Sequence, residues 1–237
     1  MSDIFRFKQF SVNQSGCAMK VNTDGVLLGA LATVHQPTTI LDIGSGTGVI
    51  ALMLAQRFGN SHIDAVEIDR AAAETAKSNF NYSPFANRLT LHSSSFEQFF
   101  TDHPDKRYDL IVSNPPFYIN SLESPGAGKT LAKHADQYFF ERLVRGVEDA
   151  LTEDGLFWLI LPPDTAGIVK NLADDCLLRL HNIINIYSYP ESTPHREVLV
   201  FGTKETPIEL NKLVIYNEPK HYTQQYQELL RSFLTIF

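Results

Sequence analysis

Cysteine is scarce: Cys17 and Cys176 are the only two among 237 residues. That is too few for a disulfide framework, and the pair has no metal-ligand spacing, so two reduced, partly buried thiols and no metal site are expected. No apolar run approaches the ~18 residues that a membrane span needs. The opening "MSDIFRFKQF" is charged and lacks the continuous apolar stretch of a signal peptide. A cytoplasmic chain with no membrane association is the expectation. A basic excess is missing too, since 20 Lys and Arg stand against 27 Asp and Glu and leave a formal net charge of −7. This excludes a uniformly basic nucleic-acid coat while leaving room for a local basic face. No Pro/Gly/Ser-rich linker or repeat interrupts the chain, which favours one domain with extensions over two domains.

What is present is a rhythm. From residue 40 onward, strand-like and helix-like stretches alternate. "TTILDI" is followed by "TGVIALMLAQRF", "HIDAVEI" by "RAAAETAKSNFNY", "RLTLH" by "FEQFF", and "YDLIVS" by a later helix, "YFFERLVRGVEDALTEDG", closed by Gly155. "LFWLIL" and the helical "DTAGIVKNLADDCLLRL" continue the series. Such βαβ units predict a parallel sheet with helices on both faces. "NIINIYSY" and "REVLVFG" are separated only by "PESTPH", so the last of these strands should run antiparallel to its neighbours. A mostly parallel seven-stranded α/β sheet ending in an antiparallel hairpin resembles the class I methyltransferase (Rossmann-like) fold more than a NAD-binding domain. The core spans 37–205. An N-terminal extension over 1–36 holds the strand "FRFKQFSV" and the helix "TDGVLLGALATV", capped by Thr23 or Asp24. A C-terminal extension over 206–237 adds the strand "KLVIY" and a terminal helix in "TQQYQELLRSFLTI".

"LDIGSGTG" joins the first core strand to its helix. Gly44, Gly46 and Gly48 permit a sharp turn and close approach of backbone to a ligand. The same turn serves dinucleotides, so the glycines alone are weak evidence. Asp42 tips the balance, because two positions before the turn a carboxylate can meet the ammonium of an amino-acid moiety. S-adenosylmethionine carries one, and dinucleotides do not. Glu67, near the end of the second core strand and roughly 20 residues beyond the glycines, suits the paired hydroxyls of a ribose. Asp69 competes for this role, and Glu67 is preferred because it is closer to the strand.

The stretch "SNPPFY" breaks the strand "YDLIVS", since neither Pro115 nor Pro116 has an N–H to give a ladder. The rigid turn carries Asn114 on one side and Phe117 on the other. An exocyclic amine on a base is a poor nucleophile because its lone pair is delocalised into the ring. The Asn114 side-chain oxygen and the Pro115 carbonyl can accept its two N–H bonds and favour a tetrahedral nitrogen, while Phe117 offers a stacking face.

Together, "LDIGSGTG", "VEID" and "SNPPFY" resemble the amino-methyltransferases with an Asn-Pro-Pro-aromatic motif. "CAMKVNTDGVLLGA" and "HREVLVF" make the chain similar to the bacterial tRNA(Val) adenine-N6 methyltransferase family. The resemblance runs from about Phe7 into the tail and implies methylation of adenine 37 beside the anticodon. It implies Asp42, Gly44 and Gly46 at the methionine end of the cofactor, Glu67 at its ribose and Asn114 to Phe117 at the target amine. It also places Thr23 over the cofactor pocket. Where such enzymes commonly hold an acid against the cofactor adenine, this chain has Ser95, a weaker acceptor, with Phe96 available to pack on the ring. The basic residues expected to meet tRNA are Lys129, Lys133, His195 and Arg196, with Lys8 and Lys20 adding from the N-terminus. "YINSLESPGAGKTLAKH" is expected to be a long polar loop. No obligate protein partner is expected. The alternatives are a protein glutamine N5-methyltransferase of release-factor type, whose usual N-terminal helical domain would need more residues than stand before the glycine turn here, an rRNA guanine-N2 methyltransferase, normally with a second domain, and a non-catalytic cofactor-binding module.

Overall fold

The structure is a computed structural model that describes residues 3–17, 19–116 and 128–237, with backbone alone for 128–136. The alternating stretch at the N-terminus folds back on itself. Strands β1 (Ile4–Arg6) and β2 (Ser11–Asn13) pair antiparallel, where one continuous strand was expected. Phe7 N–H donates to Phe10 O at 2.9 Å, and the two buried rings stack 4.5 Å apart. Bringing two aromatics into one corner outweighs simple alternation. Helix α1 (Thr23–Leu31) is capped one residue earlier than expected, by Asn22, whose side chain accepts Gly25 N–H at 2.9 Å.

The alternating core follows as read from the sequence: β3 (Thr39–Ile43), α2 (Val49–Arg57), β4 (His62–Glu67), α3 (Arg70–Asn81), β5 (Leu89–Ser93), α4 (Phe96–Asp102) and β6 (Tyr108–Ser113). Helix α5 (Gly128–Ala150) differs at both ends. It begins within the stretch expected to be loop, and it stops at Ala150 instead of Gly155. Residues Leu151–Leu161 form β7, which pairs with β6 through a register shift after Tyr108. Gly155 lies against that neighbour: a Cβ there would come within 2.7 Å of the Tyr108 carbonyl. Its glycine serves close strand approach and not helix termination. Helix α6 (Pro163–Asp174), β8 (Arg179–Tyr187), β9 (Pro194–Gly202), β10 (Glu209–Val214), β11 (Tyr216–Glu218), β12 (His221–Tyr222) and α7 (Gln224–Leu230) complete the described chain.

The main sheet has the order β10-β8-β9-β7-β6-β3-β4-β5. β5, β4, β3, β6 and β7 are parallel, and β9 runs antiparallel to both β7 and β8, as the hairpin reading required. To the seven expected strands the structure adds an eighth, because β10 pairs parallel with β8. The chain leaves β3 toward β4 and β5, then returns to β6 on the other side of β3. That reversal opens a crevice at the carboxyl ends of β3 and β6, the usual ligand position in such sheets.

One apolar cluster joins α1 and α2 to Phe7, Phe10 and Val12 at one end of the chain and to Tyr226, Leu230 and Phe233 at the other. The two extensions therefore pack together on one face, with Lys8 N–H donating to Phe233 O at 2.8 Å. The second cluster lies under α4, α5 and α6.

At the opposite edge from the crevice, Asp64 of β4 accepts Lys106 Nζ at 2.7 Å and Tyr108 OH at 2.8 Å, with His92 Nε2 also at 2.8 Å. Burial alone would raise its carboxyl, but these hydrogen bonds and the Lys106 charge outweigh it and hold Asp64 well below the usual carboxylate range. The stabilisation is therefore complete above the unfolded carboxylate value of about 3.9 and is lost as pH falls below it. Asp64→Ala should cost about 2–3 kcal/mol in urea denaturation at pH 7, and its difference from wild type should shrink below about pH 4. A difference unchanged between pH 7 and pH 3 would contradict this.

Candidate active site

The turn after β3 brings backbone N–H groups and a carboxylate together. Gly44, Gly46 and Gly48 all have positive φ, at +74°, +54° and +80°. At Gly44 and Gly46 an added Cβ would meet nothing within 4 Å, so both open onto free space at the crevice. Gly48 differs. It is buried, and a Cβ there would lie 2.5 Å from the Phe80 ring. Gly48 was expected beside a cofactor with the other two glycines; here it seats the start of α2 against α3.

Glu67, at the end of β4, is 8% exposed. One of its oxygens accepts Gly46 N–H and the other accepts Asp69 N–H, each at 2.8 Å. The carboxylate therefore spans the glycine turn and the start of α3 while keeping further lone pairs for a ligand. Asp69 is exposed and spends one oxygen capping α3 through Ala72 N–H at 2.8 Å. Ile68, between these two acids, is 73% exposed. A large apolar side chain beside the crevice escaped the sequence reading, although its place between strand-end acid and helix cap was visible there.

Asp42 is fully buried, and one oxygen accepts Ala51 N–H at 3.1 Å. Burial pushes its carboxyl up to about 7, with the Ala51 hydrogen bond opposing and the Glu67 charge adding. Its Oδ1 has no hydrogen-bond partner among the described residues, and the same holds for Ser45 Oγ and Asn114 Oδ1. Such groups cost about 1–3 kcal/mol each if nothing ever satisfies them. All three belong to the carboxyl ends of β3 and β6 and the turn between β3 and α2. This donor and acceptor set, with the open cradle at Gly44 and Gly46, fits an amino-acid-bearing nucleoside cofactor.

Asn114 is held in place from two sides. Ser113 Oγ donates to Ile43 O at 2.9 Å, tying β6 to β3 immediately before it. Across the crevice, a Cβ on Gly25 would stand 3.7 Å from Asn114 Nδ2, so the first turn of α1 packs on the amide. Pro115 is buried and Pro116 exposed. Phe117 lies outside the described residues.

The remaining expectations fare differently. Thr23 opens α1 as an exposed residue two positions before Gly25. Ser95 Oγ accepts Gln98 N–H at 3.1 Å and so caps α4. Phe96 is buried against Phe100 and Phe139, with centroids 6.3 and 5.5 Å away. Phe96, expected to pack on a cofactor ring, thus makes its ring contacts with the core under α5. Arg196 is no free phosphate contact: its Nε pairs with Asp24 Oδ2 at 2.8 Å, joining β9 to α1, and its Nη1 donates to His195 O at 2.7 Å. His195 sits beside Ser188 Oγ at 3.4 Å, and burial together with the Arg196 charge lowers its pKa. Lys8 donates to Arg231 O and Phe237 O at 2.5 and 2.8 Å, and Lys20 faces Asp3 at 3.6 Å. The side chains of Lys129 and Lys133 lie outside the described residues. Asn22 and Gly25, which help hold α1 over Asn114, were missed, and Asp24 was read only as a helix cap, although all three lie in "CAMKVNTDGVLLGA".

The two kinds of glycine make a test. Gly48→Ala meets both left-handed backbone and the Phe80 ring and should cost about 2–4 kcal/mol. Gly44→Ala meets backbone strain alone and should cost about 1–2 kcal/mol. Equal losses in denaturant titrations would remove the packing role assigned to Gly48.

The family model described as "Methyltransferase small domain" matches residues 22–165, from the cap of α1 to the start of α6. The tRNA1(Val) (adenine(37)-N6)-methyltransferase of Pedobacter heparinus is 45% identical over 237 residues, covering 100% of both chains. The protein of the same name from Bacteroides thetaiotaomicron is 41% identical over 230 residues, covering 97% of this chain and 96% of its own. Among solved structures, a predicted O-methyltransferase from Agrobacterium tumefaciens matches with a TM-score of 0.69 at 18% identity, covering 89% of this chain and 96% of its own. That likeness shows the shared methyltransferase fold. The glycine turn, Glu67 and Asn114 lie within the matched span, and the chain belongs to the methyltransferase small domain family, among the tRNA1(Val) (adenine(37)-N6)-methyltransferases.

Proposed function

We propose that the chain methylates N6 of adenine 37 in tRNA1(Val), the reaction for which its relatives are named, and that it takes this base from the anticodon loop in the cytoplasm. The observation that carries the reading is the Asn114 side-chain oxygen, buried and unpartnered among the described residues beside the glycine turn. Such an atom is an acceptor waiting for a donor, and an exocyclic amine brings two N–H bonds.

Bound S-adenosylmethionine supplies a methyl carbon attached to positively charged sulfur. Of this chain's residues, Asp42 would hold its ammonium, Gly44 and Gly46 would admit its close approach, Glu67 would take the ribose hydroxyls, and Ile68 would offer apolar surface to the adenine. Asn114 Oδ1 and the Pro115 carbonyl accept the N–H bonds of the target amine. This draws the nitrogen toward a tetrahedral shape and aims its lone pair along the line of attack. The prolines keep that carbonyl from turning away. Phe117 is the expected stacking partner of the flipped base, which leaves its loop at a cost of a few kcal/mol.

Asn114→Ala should lower kcat about 10²–10³-fold while the cofactor Kd stays within about twofold. The product in a tRNA1(Val) transcript should be N6-methyladenosine, and replacing adenine 37 by guanine should abolish it. Labelled methyl groups found on a protein glutamine, with the transcript unlabelled, would overturn the substrate.

Asp42 provides a pH signature. In the free protein it takes its charge only as pH rises through about 7, and a bound ammonium favours that charge. Cofactor binding should tighten from pH 6 to pH 8 and release protons near the lower end, as calorimetry in buffers of different ionisation enthalpy would show. Asp42→Asn should flatten the profile, and an unchanged profile would separate Asp42 from the ammonium.

A further inference from the structure

We propose that a ladder of tyrosine rings on the Asn114 edge of the sheet is a stacking platform, and that an unpaired base next to the target adenine rests on its outermost ring, Tyr189. This deepens the reading of the substrate as an RNA loop and rests on it.

The topology puts the ladder in reach. β8 runs in the same direction as β7 and β6, because β9 is antiparallel to both of its neighbours. Its end at Tyr187, and that of its parallel neighbour β10, therefore lie on the edge that carries Asn114. From β6 to β8 there are three strand spacings, roughly 14 Å in all. A few nucleotides cover that distance.

The rings form a graded series. Tyr226 is buried, Tyr222 stacks on it at 5.1 Å and 11°, Tyr216 follows at 4.8 Å and 25°, and Tyr189 ends the series at 5.7 Å and 33°. Phe237 closes the inner end, edge-on to both Tyr222 and Tyr226. Tyr189 is 39% exposed, which leaves the outer end open. The spacings are too short for a base to slip between rings, so one base can add only at that end.

The platform is rigid before any ligand arrives. Tyr216 and Tyr222 are opposite partners across β11 and β12. Tyr216 N–H donates to Ser188 O at 3.0 Å, and Tyr189 N–H donates to Ser192 Oγ at 3.1 Å. A stacked base therefore loses little to ordering the protein side.

The charges around the rings suit a nucleic-acid backbone better than an apolar protein face. Lys212 Nζ lies 4.4 Å above the Tyr187 ring and 3.3 Å from Pro190 O, beside the turn that carries Tyr189. Lys220 is exposed between β11 and β12. Glu191 is on the Tyr189 turn, and Glu218 faces His221 at 3.4 Å. Cations beside an open aromatic face are the means by which single strands are held without base-edge readout.

The test uses the full chain and an anticodon stem–loop RNA. Tyr189→Ala should raise the RNA Kd about 5- to 100-fold, Tyr189→Trp should restore it, and cofactor Kd and melting temperature should stay at wild-type values. Abasic substitution at one loop position beside the target should weaken wild-type binding by a similar factor and the Tyr189→Ala variant by little more. Wild-type RNA affinity in Tyr189→Ala overturns the platform, as does a loss that Tyr189→Trp fails to restore. A change in self-association at unchanged RNA affinity would also overturn it and assign the rings to a second copy of the chain. If the wild-type protein neither binds nor methylates the RNA, the functional reading itself fails. An active wild type with an indifferent Tyr189 sinks the platform alone.

Discussion

The parallel pairing of β3 with β6, with Ile43 opposite Ser113, is the constraint on which the rest of the site depends. It is reinforced where it ends, by the hydroxyl of Ser113 on the carbonyl of Ile43. Because both strands stop at this point, the turn that cradles a cofactor and the residue that receives the target amine emerge side by side. Asp42 and Asn114 are 72 residues apart in sequence, and only strand register makes them neighbours. A slip of one residue would send every side chain of β6 to the opposite face and bury the wrong set.

Around that pairing three buried polar atoms are left without partners among the described residues where a ligand can satisfy them, in contrast to the carboxylate of Asp64. Asp64, away from the crevice, gathers partners from His92, Lys106 and Tyr108. Asp42, equally part of the sheet, has one backbone donor and a bare second oxygen. The first arrangement keeps a carboxylate ionised and the second keeps it on the edge of ionisation. Asp42 is the more deeply buried, has fewer donors and faces the Glu67 charge, whereas the partly buried Asp64 faces Lys106. Electrostatics also links the site to its surroundings: the Arg196–Asp24 pair fastens the start of β9 to the first turn of α1, whose Gly25 packs on Asn114. A residue expected to meet RNA thus holds the wall of the pocket.

Local pattern was enough where local forces decide. The alternation of strands and helices, the glycine turn, the acid at the end of β4 and the proline-broken strand after Ser113 all depend on short stretches of backbone and apolar periodicity. Those features singled out Asp42, Gly44, Gly46, Glu67 and Asn114, which the fold brings to the carboxyl ends of neighbouring strands and the turn after β3. The antiparallel hairpin was legible for the same reason, since six residues between two apolar runs leave no room for a crossover helix.

Tertiary structure decided whatever depends on a neighbour distant in sequence. Gly48 and Gly44 look alike in "GSGTG", but only packing shows that one faces Phe80 and the other open space. Gly155 reads as a helix stop until Tyr108 is seen against it. Phe96 is an aromatic near a cofactor pocket by position and a core residue by contact, and Ser95 is an acceptor whose oxygen a helix N–H already occupies. The tyrosine ladder joins residues 189, 216, 222 and 226, which no periodicity connects. The physical reason is common to all of these: sequence specifies the chemistry and local conformation of a residue, whereas free faces and unpaired atoms are set by what the fold brings against them.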